Sequence, residues 1–412
     1  MSETTATRTG TILKVGKAAT VAAAIVAWAV CAWLLARTSV PSLHLSGVDQ
    51  DRFFGRALLS RTRSFTRGED ALWLFSTLTS LAALAIVAWR LPRSVAGMGL
   101  GRIGSAVVLA MVTLVTLWAT ELPFGIADLW WQHHYGLGPF NVGAWLASQW
   151  SALAPAAIGI LLAVVLLVGC AGRFRSRWWV PAGLSIVAIA SAFAFVSGYL
   201  DAVGTQPLHD PVLRSDVRRL ERIEHVTGTP VRVQAVSSRT NQVNAFTEGF
   251  GPSTHVVLWN TLFTQHFPRR ELNVVIAHEL GHVRSRHIVK AIGWAALTVL
   301  PTLLLVGLVT RRRGGLANPA NLPLAFLVLA VLALVTAPAQ NLVSRRYEAE
   351  ADWRALNATR DPVAARRLFE SFARTSLEQP NPPLLDYLWL ENHPTLMQRI
   401  AMTRAWASLH RP

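Results

Sequence analysis

Charged residues are scarce in this sequence, and their scarcity is the first constraint on its class. Only 15% of the 412 residues are charged, while 52% are hydrophobic; soluble domains carry roughly 25% charged residues. This composition argues against a soluble protein and is typical of a chain that crosses a bilayer several times. Acidic residues are especially few, 23 against 39 basic ones, which gives a formal charge of +16. Because the basic residues flank apolar segments, they are expected to anchor and orient those segments, and no nucleic-acid partner is predicted.

Cysteine is also nearly absent. The only two, Cys31 and Cys170, fall inside apolar segments, so a disulfide framework is not expected. A cleavable signal peptide is not evident either. The first apolar stretch is long enough to span a membrane and has no small-residue cleavage site, so we expect it to be retained.

Apolar runs of roughly 20 residues, the length that a bilayer requires, predict seven transmembrane helices. The fold class is therefore expected to be mainly α, a seven-helix membrane bundle. The predicted spans are Ala18–Ala36, Ala71–Trp89, Gly104–Leu122, Ala152–Gly172, Val180–Leu200, Ile288–Thr310 and Leu322–Leu342.

Two polar blocks remain, and they divide the chain into four parts. Residues 1–200 form a membrane region with five spans, 201–287 the first polar block, 288–342 a transmembrane hairpin, and 343–412 the second polar block. In the first block, Asp210-Pro211 predicts a helix start, and Pro268 begins another helix. Three segments are predicted to be strands: Val231–Val236, Val243–Thr247 and His255–Trp259.

The sequence His278-Glu279-Leu280-Gly281-His282 lies on the second of these helices. Two histidines four residues apart share one helix face, so both imidazoles can reach one metal ion. The glutamate between them can take a proton from a water at the ion's open position. This is the H-E-x-x-H arrangement of zinc peptidases, and its apolar neighbours predict an amphipathic helix with a buried back.

A catalytic zinc ion needs a third protein ligand. His287 is one residue short of the metzincin position, so we expect it to be a polar residue at the membrane boundary or in the cleft wall. Glu348 is the better candidate. Asp352 lies four residues later on the same helix face, where it can accept a hydrogen bond from a histidine ligand. Glu350 points roughly the opposite way and is the weaker candidate.

Taken together, these motifs resemble peptidase family M48, the integral-membrane zinc metallopeptidases that include the Ste24 CAAX prenyl proteases and the HtpX proteases. The matching residues are Asn244–Phe246, Val275–Val283 with His287, Ser344–Glu348 with Ala351-Asp352, and His393-Pro394 with Arg399. The resemblance implies a zincin-like (gluzincin) α+β domain with a small sheet. The seven-span layout is more similar to the Ste24 branch than to the four-span HtpX branch.

The resemblance also implies residue roles. One Zn²⁺ per chain would be bound by His278, His282 and Glu348, with Glu279 as general base and Asp352 as a supporting residue or proton donor. His393 and Arg399 would stabilise the oxyanion. Asn244, Ala245 and Phe246 would form an edge strand that pairs with a peptide or membrane-protein substrate.

Two other functions compete with a Ste24-like endopeptidase. One is an HtpX-like protease for membrane-protein quality control. The other is a sensor-transducer of the BlaR1 type, although no block is large enough for a separate ligand-binding domain. We expect a multi-pass protein of a bacterial plasma membrane. The positive-inside rule places the zinc domain outside, whereas the Ste24 resemblance implies a cytosolic zinc domain; a reporter fused after Pro412 distinguishes the two.

Overall fold

The structure is a computed structural model that describes residues 21–45, 47–95 and 99–410. The N-terminal membrane region contains α1 (Val21–Ala36), α2 (Arg56–Val95), α3 (Gly101–His134), α4 (Val142–Phe174) and α5 (Trp179–Val203). The next segment contains β1 (Thr205–Pro207), α6 (Pro211–Glu224), β2 (Val231–Gln234), β3 (Ala245–Glu248), β4 (His255–Trp259), α7 (Thr261–Thr264) and α8 (Arg269–Arg284). The remainder contains α9 (His287–Thr310), α10 (Leu322–Thr359), α11 (Pro362–Thr375), α12 (Leu384–Trp389) and α13 (Leu396–Leu409).

Six helices in the described part of the chain are long and apolar enough to cross a membrane: α2, α3, α4, α5, α9 and α10. The first predicted span corresponds to α1. The described part of this helix begins at Val21 and is shorter than 18 residues, and Ala18–Thr20 lie outside the described residues. The predicted count of seven is therefore roughly right. The predicted class, a mainly helical membrane bundle with a small mixed sheet, is confirmed.

Several membrane helices are longer than a bilayer requires. A 30 Å hydrocarbon core needs about 20 residues, but α2 has 40 residues and α10 has 38. The surplus of α10 carries the chain out of the apolar region and into the second polar block without a break, across the division predicted at residue 342. The four-part division of the chain stays a prediction, because the helices themselves do not mark it.

The sheet has the strand order β1-β2-β4-β3. β2 and β4 are parallel, and the two outer pairs are antiparallel. The predicted third strand coincides with β4, the first ends two residues early, and the second begins two residues late. β1 was not predicted, because three residues are too few to display a two-residue alternation. Because β3 stands last in the strand order, it lies at an edge of the sheet, with one side not paired to any described strand.

The main hydrophobic core lies in the polar blocks and not between the spans. It joins α6, β4, α8, α10, α11 and α13, and its fully buried members include Leu220, Leu258, Ile276, Leu356 and Ile400. Asp210 caps α6 through hydrogen bonds from the amides of Val212 and Leu213, as predicted. This core fixes α8 against α10, which is the contact that forms the site described next.

Candidate metal centre and active site

Helix α8 presents the two motif histidines to α10. Leu272, Ile276 and Leu280 are buried in the core and fix the rotation of the helix, so His278 and His282 project from its other side. Gly281 makes the close contact possible. A Cβ atom there would stand 3.3 Å from Ala351 Cα, which leaves little room for any larger residue.

Three candidate ligand atoms converge at this contact. Glu348 Oε2 lies 3.2 Å from His278 Nε2 and 3.4 Å from His282 Nε2, and the two Nε2 atoms are 3.1 Å apart. Tetrahedral ligands bound to zinc at about 2.1 Å lie roughly 3.4 Å from one another. Within the described residues, His278, His282 and Glu348 are the group of three whose donor atoms could hold a metal ion. Glu350 is not part of this group, in agreement with its being the weaker candidate for the third ligand.

The charges of the site also suit a cation. Glu348 Oε2 is buried and receives no hydrogen bond from any described residue, although imidazole nitrogens surround it. Burial alone would lower the pKa of His278, but Asp352 and Glu348 outweigh it and raise that pKa to about 10. A positive charge is therefore favoured between these carboxylates, and the two imidazoles and one carboxylate are a donor set that zinc accepts.

Asp352 holds the far side of His278. Its Oδ1 atom is 2.9 Å from His278 Nδ1, so it can accept the proton of that nitrogen and leave Nε2 free for a metal. The Arg399 guanidinium donates two hydrogen bonds to Asp352, at 2.7 and 2.8 Å, and lies 4.1 Å over the Phe369 ring. The resemblance implies that Arg399 stands near the substrate carbonyl, and Arg399 lines the same cavity as His278 and Glu279. Its charge is also paired with Asp352, because a buried guanidinium needs a buried anion.

A similar support exists behind His282, and sequence reasoning missed it. His287 Nδ1 is 2.8 Å from His282 Nδ1, and His287 Nε2 is 3.1 Å from Glu350 Oε2. When His282 Nδ1 donates to His287 Nδ1 and His287 Nε2 donates to Glu350, each of these nitrogens has a hydrogen-bond partner. His282 Nε2 then stays free for a metal. His287 is buried and stacks on Tyr347, and it lines a cavity beside His282, which is one of the two places expected for it. The spacing between His282 and His287 was the signal that the sequence offered, but it was interpreted only as the spacing of a metal ligand and not of a supporting residue.

Glu279 lies beside the two histidines and is buried. Thr247 on β3 is its partner: the threonine hydroxyl is 3.0 Å from Glu279 Oε2 and 3.1 Å from the backbone oxygen of Glu279. One hydroxyl proton serves both acceptors, so this contact orients the carboxylate without neutralising it. Thr247 is not predictable from the sequence, since nothing local distinguishes it from any other strand threonine.

His393 also contacts the carboxylate of Glu348. Its Nε2 atom is 3.1 Å from Glu348 Oε2, and its side chain is 43% exposed. Burial acts to lower the pKa of His393, but the Glu348 carboxylate outweighs it and the pKa is raised. A partly exposed imidazole at this position can donate a hydrogen bond into the cleft.

Strand β3 and the residues that flank it border two cavities. One, of about 310 Å³, is lined by Asn244, Ala245, Glu279 and His393. The other, of about 630 Å³, is lined by Thr247, Gly249 and His282. β3 runs between them as the edge strand of the sheet, and Phe246 pairs with Val257 of β4. The structure thus brings Asn244 and Ala245 to the rim of the metal site, whereas Phe246 is among the lining residues of neither cavity. The substrate-binding role of the three residues stays a prediction.

Comparison with known proteins agrees with this geometry. The model of peptidase family M48 matches residues 207–407, which include every candidate site residue. This match, just under half of the 412 residues, identifies an M48 peptidase domain in the chain. The resemblance predicted from the motifs is therefore confirmed, and the family implies a metal, typically zinc, at the His278, His282 and Glu348 cluster.

Individual M48 relatives differ in how much of the chain they match. The uncharacterized metalloprotease YhfN of Bacillus subtilis is 27% identical over 252 residues, 58% of this chain and 59% of its own length. A protease HtpX homolog of Kineococcus radiotolerans is 27% identical over 297 residues, 66% of this chain and 92% of its own. The crystal structure of S. mikatae Ste24p has a TM-score of 0.73 at 17% identity, covering 92% of this chain and 96% of that one. The fold is thus that of Ste24p, membrane region included.

Proposed function

We propose that this M48 protein is a membrane-embedded zinc metalloendopeptidase that binds one Zn²⁺ per chain through His278, His282 and Glu348. The observation that carries the proposal is the convergence of these three donors at 3.1 to 3.4 Å, with Glu279 beside them. When bound, zinc polarises a peptide carbonyl and brings the pKa of a water molecule close to neutrality.

In this proposal, Glu279 is the general base. Its carboxylate takes a proton from the attacking water and passes it to the leaving amine. Thr247 holds the carboxylate at the rim of the cleft through the 3.0 Å hydrogen bond. The hydroxyl donates only one proton, so the other carboxylate oxygen is available for the transfer.

His393 is the group that would stabilise negative charge on the carbonyl oxygen, since it is partly exposed in the cleft and its pKa is raised. Asp352, Arg399 and His287 are positioning residues. Asp352 and His287 fix the orientations of the two histidine ligands, and Arg399 holds Asp352 in its ionised form.

The substrate would add to the sheet as a further strand. The outer edge of β3 has no described strand partner, and backbone groups on such an edge pair with an extended peptide. Asn244, Ala245 and Phe246 would contact the residues around the cut bond, and the cavities on either side would accept flanking side chains.

The bilayer would be the second partner. A Ste24-like role and an HtpX-like role both suit a family M48 protein: the fold of the whole chain matches Ste24p, whereas sequence similarity reaches HtpX homologs. We propose peptides or membrane proteins as substrates and, since the matched relatives named above are bacterial apart from Ste24p, the plasma membrane of a bacterium as the location.

Replacing Glu279 tests the function directly. We expect Glu279→Gln to keep its bound zinc, because Glu279 is not among the three donors. Peptide cleavage by the detergent-purified protein should fall by about a thousandfold, the usual range for loss of a general base. Zinc is measured by mass spectrometry and cleavage with a fluorogenic peptide. A proteomic comparison of cells expressing either form then identifies proteins that accumulate uncut.

Glu271→Gln is the matched control, since Glu271 is also buried and lies on α8, two turns before Glu279. It should leave cleavage close to the wild-type rate. Full activity in Glu279→Gln, or equal losses in both variants, would refute the role given to Glu279.

A further inference from the structure

A second cavity lies at the far end of the membrane helices, away from the metal domain. It has a volume of about 610 Å³ and is formed where α4 and α9 end and where α3 and α5 begin. At their other ends, α5 and α9 join the metal domain directly, and the loop between α3 and α4 contacts it through Leu137. This cavity is therefore separated from the active site by the thickness of the membrane region.

Three arginines line this cavity: Arg102 at the start of α3, Arg175 just after α4, and Arg311 just after α9. No aspartate or glutamate is among the lining residues. Within the described part of the chain, none of the three guanidinium groups has an ion-pair partner among the salt bridges of the protein. Their charges are thus available to an external anion.

The position of Arg102 is built into the fold. Its guanidinium lies directly against the α4 backbone at Gly172, where a Cβ atom would collide with it. Arg175 has a backbone φ of 47°, a conformation that costs energy in a residue other than glycine. Neither feature is needed if these arginines only mark the orientation of the helices, a role that loose surface charges fulfil equally well.

The wall of the cavity on the membrane side is apolar. Leu304 and Leu308 of α9 line it and are 43% and 48% exposed. Trp178 is buried beside Gly307, with ring atoms 3.3 Å from where a Cβ would be, and Trp179 also lines the cavity. Tryptophan is enriched at the level of lipid headgroups. The cavity therefore joins a cationic part to an apolar part at the depth where headgroup and acyl chain meet.

We propose that this cavity binds an anionic phospholipid from the leaflet opposite the metal domain. Arg102, Arg175 and Arg311 would bind the phosphate, because guanidinium groups match its geometry. Leu304 and Leu308 would contact the acyl chain. A free phosphate would use the same arginines but would leave the apolar wall without a ligand.

The test uses the full-length protein in detergent and measures binding of phosphatidylglycerol and phosphatidylcholine by native mass spectrometry. The lining variant carries Arg102→Gln, Arg175→Gln and Arg311→Gln. The control variant carries Arg173→Gln, Arg177→Gln and Arg312→Gln, which remove the same number of charges from the same side of the membrane region, near the ends of α4 and α9, but do not line the cavity. Melting temperature and gel filtration confirm that each variant is folded.

We expect wild type to prefer phosphatidylglycerol, the lining variant to bind it at least tenfold more weakly, and the control to stay within about threefold of wild type. Gly172→Ala, which displaces Arg102 without changing the charge, should also weaken binding. Equal losses in the lining and control variants would mean a diffuse surface effect and overturn the proposal. So would equal affinity for both lipids, or full displacement of the lipid by an equimolar amount of inorganic phosphate.

Discussion

The two ends of the membrane helices hold charge in different ways. At the metal-bearing end, Asp352 and Arg399 are 2% and 6% exposed; Asp352 accepts hydrogen bonds from Arg399 and is also hydrogen-bonded to His278. At the opposite end, Arg102, Arg175 and Arg311 are exposed, and no acidic residue lines the cavity between them. Buried charges must be paired, whereas exposed ones need not be.

This difference shows at which end of the membrane region the side-chain positions are fixed. A buried ion pair tolerates little displacement, so the metal-bearing end holds its side chains in one arrangement. The other end keeps positive charge without internal partners and depends on its surroundings. Substitutions at the first end should therefore affect stability and metal binding together, while those at the second should affect lipid binding alone. Three further predictions test the expectation for the metal-bearing end, in order of decreasing effect.

The largest effect is expected from Asp352→Asn. The amide cannot neutralise Arg399, and an unpaired buried charge should destabilise the protein by about 3 kcal/mol. Affinity for zinc should also fall, by about tenfold, because the amide is a weaker acceptor for His278 Nδ1. Thermal unfolding and competition with a zinc chelator measure the two effects.

The control is Asp210→Asn. Asp210 is an exposed cap of α6, and asparagine caps a helix equally well, so neither quantity should change. An Asp352→Asn protein as stable as wild type would contradict the pairing of charge that distinguishes this end of the molecule.

An intermediate effect is expected from His287→Phe. The substitution keeps a ring to stack on Tyr347 but removes both hydrogen bonds, so His282 loses the group that fixes its orientation. Zinc affinity should fall by about tenfold, and the visible absorption of the cobalt-substituted protein should change, since it reports ligand geometry.

Tyr347→Phe is the matched control. It removes the hydroxyl that bonds to Leu35 and Trp294 but keeps the ring under His287, so zinc affinity and the cobalt spectrum should be unchanged. A normal cobalt spectrum in His287→Phe would show that His282 needs no support from His287.

The smallest effect is expected from Glu391→Gln, and it depends on pH. Burial, with help from Glu378, raises the pKa of Glu391 from 4.5 to about 7. The folded protein therefore binds this proton more tightly than the unfolded chain does, and stability is lost as the pH rises from about 4.5 to 7. Glutamine does not ionise and avoids that loss.

The melting temperature of Glu391→Gln should thus exceed that of wild type by a few degrees at pH 8 and by much less at pH 5. Differential scanning fluorimetry in detergent at both pH values measures it. The same gain at both pH values would mean that ionisation of Glu391 is not the cause.

Local periodicity accounts for what the sequence determined by itself. The apolar spans, the amphipathic α8 with its two histidines on one face, the Asp210 cap and the β4 strand all follow from residues within a few turns of one another. Glu348 and Asp352 could be chosen because a four-residue spacing places them on one helix face, and the structure brings both to His278.

Contacts between distant segments were decided only by the tertiary structure. Arg399 meets Asp352 from 47 residues away, Thr247 meets Glu279 from 32, and Glu350 meets His287 from 63. The cavity around Arg102 draws on four helices and a loop. No local pattern encodes such meetings, because they depend on how α8, α10 and α13 pack in the core and on where the membrane helices end.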